Sequence, residues 1–258
     1  MKSEELKSFL DEKVVLYNTP RFIKDDPILI PHEFNLKEDI EISGFLAATI
    51  AWGQRKTIIR NAKKILEIME YSPHDFIVNH NSEERKKCMG FVHRTFNAQD
   101  LAFFLQSLQN IYLHHGGLQK TLRPLKNEHD YSQAISRFKQ IFFELDHEKR
   151  TQKHVADPLK GSSAKRLNMF LRWMVRKDNC GVDLGIWKEG IPSKLSIPLD
   201  VHTGNVARIL GLLERKQNDH KAVLELDRNL RQFDPEDPVK YDFALFGLGA
   251  YENFSLKS

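Results

Sequence analysis

The chain has 258 residues, 41% hydrophobic and 29% charged, with a net charge of +4 and a sequence pI near 8.9. This length suits one large domain or two small lobes sharing a core, and the balance is that of a folded soluble chain, not a disordered one. The mild basic excess is compatible with a polyanionic partner without requiring one. No apolar run approaches the ~20 residues of a membrane span. The opening stretch, MKSEELKSFLDEKVVLY, mixes acids and bases and lacks an apolar signal core, so the expected location is the cytoplasm, or the nucleoid in a bacterium. Cys88 and Cys180 form no CxxC pair. A zinc or iron–sulfur site built on cysteine is thereby excluded, and no metal or cofactor is expected.

Helical periodicity runs along nearly the whole sequence. Residues 3–17 place Leu6, Phe9, Leu10, Val14 and Leu16 roughly on one face. A stretch punctuated by Pro20, Pro27 and Pro31 follows, and Asn35 with Glu38 three residues on reads as an N-cap. The segment EDIEISGFLAATIAW is apolar enough for a core helix. Residues 55–70 form a basic amphipathic helix, with Ile58, Ile59, Ala62, Ile65, Leu66 and Met69 inward and Arg55, Lys56, Arg60, Lys63 and Lys64 outward.

Further helices are expected near 72–80, 82–90 and 98–114, before Gly116-Gly117 breaks the pattern, and then near 117–123 and 131–145. His93 and Arg94 in FVHRTF read as structural. A polar connector ends in Asp157-Pro158, residues 163–177 are strongly helical, and 178–199 reads as a long loop rich in Gly and Pro. Helices resume near 203–213, 219–232 and 237–250, and no strand alternation stands out. The expected fold is all-α: one domain over 1–258 with two helical lobes, residues 1–35 packing on the C-terminal lobe.

Two stretches carry chemistry-bearing residues. In GSSAKRLNMFLRWMVRK, Ser162 or Ser163 is a good N-cap, and Leu167, Phe170, Leu171, Met174 and Val175 trace a buried face. Lys165 then falls in the first turn, where the helix dipole disfavours a cation. It is either a solvated lysine tolerating a small penalty or an amine placed to act as a nucleophile. In SIPLDVHTGNVARILGL, Thr203 can cap a helix ending near Gly211, and Asp200 stands just before it. Asp200 is either a cap for nearby amides or a catalytic carboxylate.

The order of these parts resembles the helix-hairpin-helix DNA glycosylase superfamily: a capped helix with an early lysine, a loop, then IPLDVH opening another helix. IPLDVH is most similar to the 8-oxoguanine branch. The whole chain resembles a bacterial family of unassigned function related to the archaeal 8-oxoguanine glycosylases.

The resemblance implies a two-lobed helical fold, Lys165 as the nucleophile on the sugar C1′, Asp200 as the assisting carboxylate, and His202 as a phosphate contact. In LAATIAWGQRKTIIRNAKKIL, Gln54 matches the position of a wedge that fills the gap left by an extruded base; read by itself it is an inter-helix loop residue. Candidates for phosphate grip are Arg55, Lys56, Arg60, Lys160, Arg166 and Arg172, each of which reads equally as part of a solvated helix face, with Gly161, Ser162 and Ser163 at the hairpin. Trp52 and Trp173 are candidates for stacking on a flipped base, although large aromatics at helical spacing commonly belong to a core. Tyr241, Phe243 and Phe246 in the closing stretch DPVKYDFALFGLGAY read as core.

The hairpin departs from the family pattern. ADPLKGSSAK keeps only Gly161 of the glycines that expose backbone amides to a phosphate, and the Lys–Asp separation of 35 residues is long. The expected activity is therefore a monomeric glycosylase/AP lyase acting on an oxidised purine, 8-oxoguanine first, in double-stranded DNA. The alternatives are a non-catalytic DNA-binding or damage-recognition protein on the same fold, and a helical interaction scaffold.

Overall fold

A computed structural model describes residues 3–252 and 254. Most of these residues are helical. The regular strands among them, Val92–His93 and Phe96–Asn97, form one antiparallel hairpin that alternation could not reveal because each strand is two residues long. No helix among the described residues is long and apolar enough to cross a membrane.

The chain divides into two compact units. One combines the chain up to Phe22, the short His129–Tyr131 stretch and the chain from Asp157 onward; the other holds 23–128 and 132–156. The N-terminal segment that packs with the C-terminal unit therefore ends at Phe22, and residues 23–35 pack with the middle of the chain.

The middle unit is organised by aromatics. Phe45, on the Lys37–Thr49 helix, lies within 5.6–6.2 Å of the rings of Phe104, Phe138 and Phe142. The Lys37–Thr49 helix is buried from Ile40 to Thr49, as its composition foretold. Its N-cap is Leu36, without a side-chain bond, so Asn35 does not form the expected cap. The basic helix, Arg55–Ile68, buries Ile58, Ala62, Ile65 and Leu66 as its period demands.

In the other unit, the Ser3–Tyr17 helix lies on a closing helix, Tyr241–Tyr251, and Leu6, Leu10 and Val14 join a core with Val206, Leu226, Leu230, Leu245 and Leu248. A buried carboxylate, Asp227, accepts the Ile197 N–H at 2.9 Å and so ties the end of the 178–199 segment to the His220–Phe233 helix. The 178–199 segment is irregular apart from a single 3-10 turn at Pro192–Lys194.

The closing helix approaches its neighbours closely because its glycines carry no Cβ. A Cβ on Gly247 would stand 2.2–2.5 Å from the Tyr17 ring, which itself stacks on Tyr251 at 5.7 Å and donates its hydroxyl to Glu252. Gly247→Ala overpacks this contact and should cost about 1–3 kcal/mol, read as a lower urea midpoint with an unchanged slope; an unaltered midpoint would show that the ring moves aside freely.

Candidate active site

Lys165 owes its position to the turn that precedes it. The Asp157 carboxylate accepts the Leu159 N–H at 3.1 Å and starts a 3-10 turn over Pro158–Lys160. Gly161 follows with φ +91°, a value that favours glycine, and its carbonyl accepts the His220 N–H at 3.0 Å. Ser162 pairs with Asp219, the N-cap of the His220–Phe233 helix, and Arg215 holds the Asp219 carboxyl below the usual carboxylate range.

Neither Ser162 nor Ser163 caps the lysine helix as its residue type suggests. The cap is the buried Ala164, in the left-handed region at φ 46°, and its N–H donates to Ser162 Oγ at 3.2 Å. The helix is Lys165–Val175, so Lys165 is its first residue. It is half-buried, and it forms no ion pair with any carboxylate among the described residues.

Asp200 has a fixed local role. It is the N-cap of the Val201–Ile209 helix, and its Oδ1 accepts the Thr203 N–H at 3.0 Å. The cap is therefore Asp200 and not Thr203, which stands at the third helical position. The Asp200 carbonyl accepts Asn218 Nδ2 at 2.9 Å, and Asn218 Oδ1 in turn accepts from Arg208 at 2.6 Å.

The two helices meet at a residue that the sequence reading passed over. Asp242, on the closing helix, is buried. Its Oδ1 accepts the Thr203 hydroxyl at 3.2 Å, and its Oδ2 accepts from Arg172. Arg172 lies seven residues, two turns, along the helix from Lys165. The signal available in the sequence is a lone carboxylate inside the otherwise apolar YDFALFGLGAY.

Arg172 also donates from Nε to Asp183 at 3.2 Å, and Asp183 accepts from Arg176, which reaches Asp237 and Asp178. Both guanidinium groups lie over the Phe243 ring, at 4.4 and 5.5 Å. Arg172 is thus a buried structural cation, not the phosphate contact expected of it.

Burial pushes the Asp242 carboxyl up to about 6, against Arg172; the Asp200 charge raises it further, while Lys165 and the Thr203 bond lower it. Asp242 thus couples electrostatically to both members of the expected pair.

The remaining expected residues fall in different settings. Trp173 is fully buried, so it is a core residue and cannot stack on an extruded base. Lys160, Gly161 and His202 are exposed, and Ser163 is half-buried. The His202 ring stands edge-on to Phe246 at 6.0 Å. Arg166 is half-buried, and burial pushes its guanidinium down to about 10.

Trp52, Gln54, Arg55 and Lys56 belong to the middle unit. Gln54 is the exposed N-cap of the basic helix and makes no side-chain cap bond. Trp52 is half-buried, edge-on to His93 at 4.9 Å and roughly parallel to His154 at 6.0 Å. His93 bonds Asn61 and the Trp52 carbonyl, which gives it the structural role expected. A shallow depression of about 450 Å³ on the basic helix is lined by Lys56, Ile59, Arg60, Lys63, Lys64 and Glu67.

A family model described as "Protein of unknown function (DUF2400)" matches residues 26–251. The chain belongs to this family. Lys165, Asp200 and Asp242 all lie within the matched span of the DUF2400 model. No curated protein and no solved structure gives a significant match.

The raised Asp242 pKa has a definite sign for stability. The folded state binds this proton more tightly than a free aspartate does, so the contribution is full below the ordinary value of 3.8 and is lost as pH rises through about 6. Relative to Asp242→Asn, the native chain should lose up to about 3 kcal/mol between pH 4 and pH 7 in urea titrations. Parallel stability–pH curves for the two proteins would contradict this.

Proposed function

We propose that this chain is a DNA base-excision glycosylase with AP-lyase activity on an oxidised purine, 8-oxoguanine, with Lys165 as nucleophile and Asp200 as the assisting carboxylate. The observation that carries the reading is that Arg172, on the helix that Lys165 begins, and Thr203, on the helix that Asp200 caps, both donate to the one buried Asp242 carboxyl. The resemblance of IPLDVH and the lysine helix to the helix-hairpin-helix glycosylases assigns the chemistry.

A base within a duplex is out of reach, so such an enzyme takes it out of the stack. Loss of the base builds positive charge on the sugar, which Asp200, pinned by its cap bond, is oriented to stabilise. The Lys165 amine adds at C1′ and gives up a proton, and cleavage of the C1′–O4′ bond, with its electron pair going to O4′ as that oxygen is protonated, opens the sugar ring and leaves a Schiff base. Removal of a C2′ proton then expels the 3′ phosphate with its bonding electrons and nicks the strand.

The partner is duplex DNA carrying the lesion, bound by a monomer. Its phosphates would be held at Lys160, Gly161, Ser162, Ser163, Arg166 and His202. By the sequence resemblance, residues 157–164 would correspond to the family's hairpin.

A second reading, damage recognition without turnover, is favoured by one observation: Asp200 already serves as a helix cap. Borohydride trapping separates the two. With duplexes containing 8-oxoguanine or an abasic site, the native protein should form a covalent adduct that Lys165→Gln abolishes, and Asp200→Asn should slow base release by about 10²-fold. Salt-sensitive binding with no adduct on any damaged duplex supports the second reading, and an adduct that survives Lys165→Gln removes Lys165 from the mechanism.

A further inference from the structure

Three exposed cations on the Arg55–Ile68 helix, Lys56, Arg60 and Lys64, stand at i, i+4 and i+8. They form one row on the helix, with a rise of about 6 Å from each to the next. None of the three forms an ion pair with a carboxylate among the described residues. Lys63 on the same helix, by contrast, pairs with Glu33 at 3.0 Å, and Lys87 pairs with Glu70 at 2.7 Å. The row is unfavourable to the helix that carries it. Like charges four residues apart repel, and the first turn, where the dipole favours an anion, holds no acid. A negatively charged partner relieves both effects.

The surface beside the row offers apolar contact as well. The depression along the basic helix adjoins a second one of about 420 Å³, and Lys64 and Glu67 line both. The second is bounded by Ile68, Lys87, Phe91 and Met89, and Met89 is 78% exposed. Ile59 and Ile68 are only half-buried. Together the two depressions make a shallow trough in which cations alternate with open apolar surface.

This mixture discriminates between polyanions. The phosphates of a duplex would use the cations but leave Ile59, Ile68 and Met89 without a partner, and the exposed Glu67 among them would repel a phosphate. A single strand binds by stacking its bases on aromatic rings, and the one ring among the lining residues, Phe91, is buried. A protein helix with carboxylates at i, i+4 and i+8 repeats its charge at the same rise of about 6 Å and carries apolar side chains beside it.

We propose that this trough docks an acidic amphipathic helix of a partner protein, with its carboxylates at Lys56, Arg60 and Lys64 and its apolar side chains on Ile59, Ile68 and Met89. The inference goes beyond the lyase reading and does not rest on it, because every residue it uses belongs to the middle unit and none is part of the Lys165 site.

Amide chemical-shift mapping of the nitrogen-15-labelled full chain tests this with three probes. The first is a synthetic helical peptide with Glu at i, i+4 and i+8 and Leu beside them. The second is the same peptide with each Leu replaced by Ser, and the third is an undamaged DNA duplex. The first peptide should shift amides within 56–68 and 87–91, and the serine peptide should bind at least about tenfold more weakly. Arg60→Glu combined with Lys64→Glu should weaken the first peptide by roughly tenfold or more. Met89→Ser, at an exposed turn, should weaken the first peptide and not the serine peptide, which gives a second readout if the charge reversals disturb the fold. Binding of the first peptide should survive Lys165→Gln, so the result stands apart from the outcome of borohydride trapping. No shift on this face at about 1 mM of the first peptide overturns the proposal. Equal binding of the two peptides overturns it too, since the face then reads charge alone. A duplex that binds these residues more tightly than the first peptide overturns it in favour of a nucleic-acid surface.

Discussion

A single buried carboxylate fixes how three helices meet. Asp242 accepts from Arg172 on the Lys165–Val175 helix and from Thr203 on the Val201–Ile209 helix, and it belongs itself to the Tyr241–Tyr251 helix. Hydrogen bonds to a buried charge are directional and expensive to leave unmade, so the two donors constrain where each helix can sit. Beyond Arg172 the constraint continues outward through Asp183, Arg176 and Asp237. Its main effect is on orientation, because desolvation consumes much of what pairing returns. The upward shift of Asp242 despite a guanidinium in contact shows that burial wins that contest.

The start of the lysine helix is held by backbone instead. Gly161 and Ala164 both take left-handed conformations within four residues, and Ala164 has a Cβ that makes this unfavourable by about 1–3 kcal/mol. Burial of Leu167, Phe170, Leu171, Trp173 and Met174 along the same helix offsets that strain. The bridge from Ser162 to Asp219 and the bond from His220 to Gly161 then anchor the turn to a separate helix. Lys165 is thus placed by a strained, tethered turn, while Asp200 is placed by an ordinary cap.

Periodicity made the helices readable because each buries one face. Leu6, Leu10 and Val14, or Ile58, Ala62, Ile65 and Leu66, announce their elements without any tertiary knowledge. Caps were less legible, for a physical reason. Ser162 has the right side chain to cap the lysine helix, but the left-handed Ala164 takes the N-cap position and the Ser162 hydroxyl accepts the Ala164 N–H instead. Asp200 and Thr203 are both good capping types, and only the geometry shows which one accepts and which donates. Arg172 and Trp173 read as phosphate-contact and stacking candidates, yet Arg172 is buried against Asp183 and Asp242 and Trp173 is fully buried. Asp242 was legible as an oddity, a charge in an apolar helix, but its partners were not.

The central claim is that Lys165 is the attacking amine of a lyase site. Peptide mapping by mass spectrometry of the adduct trapped with an abasic duplex tests it most directly. The sugar remnant should sit on Lys165, in the peptide that begins the Lys165–Val175 helix. A remnant on another lysine, or on the N-terminal amine, would contradict the assignment.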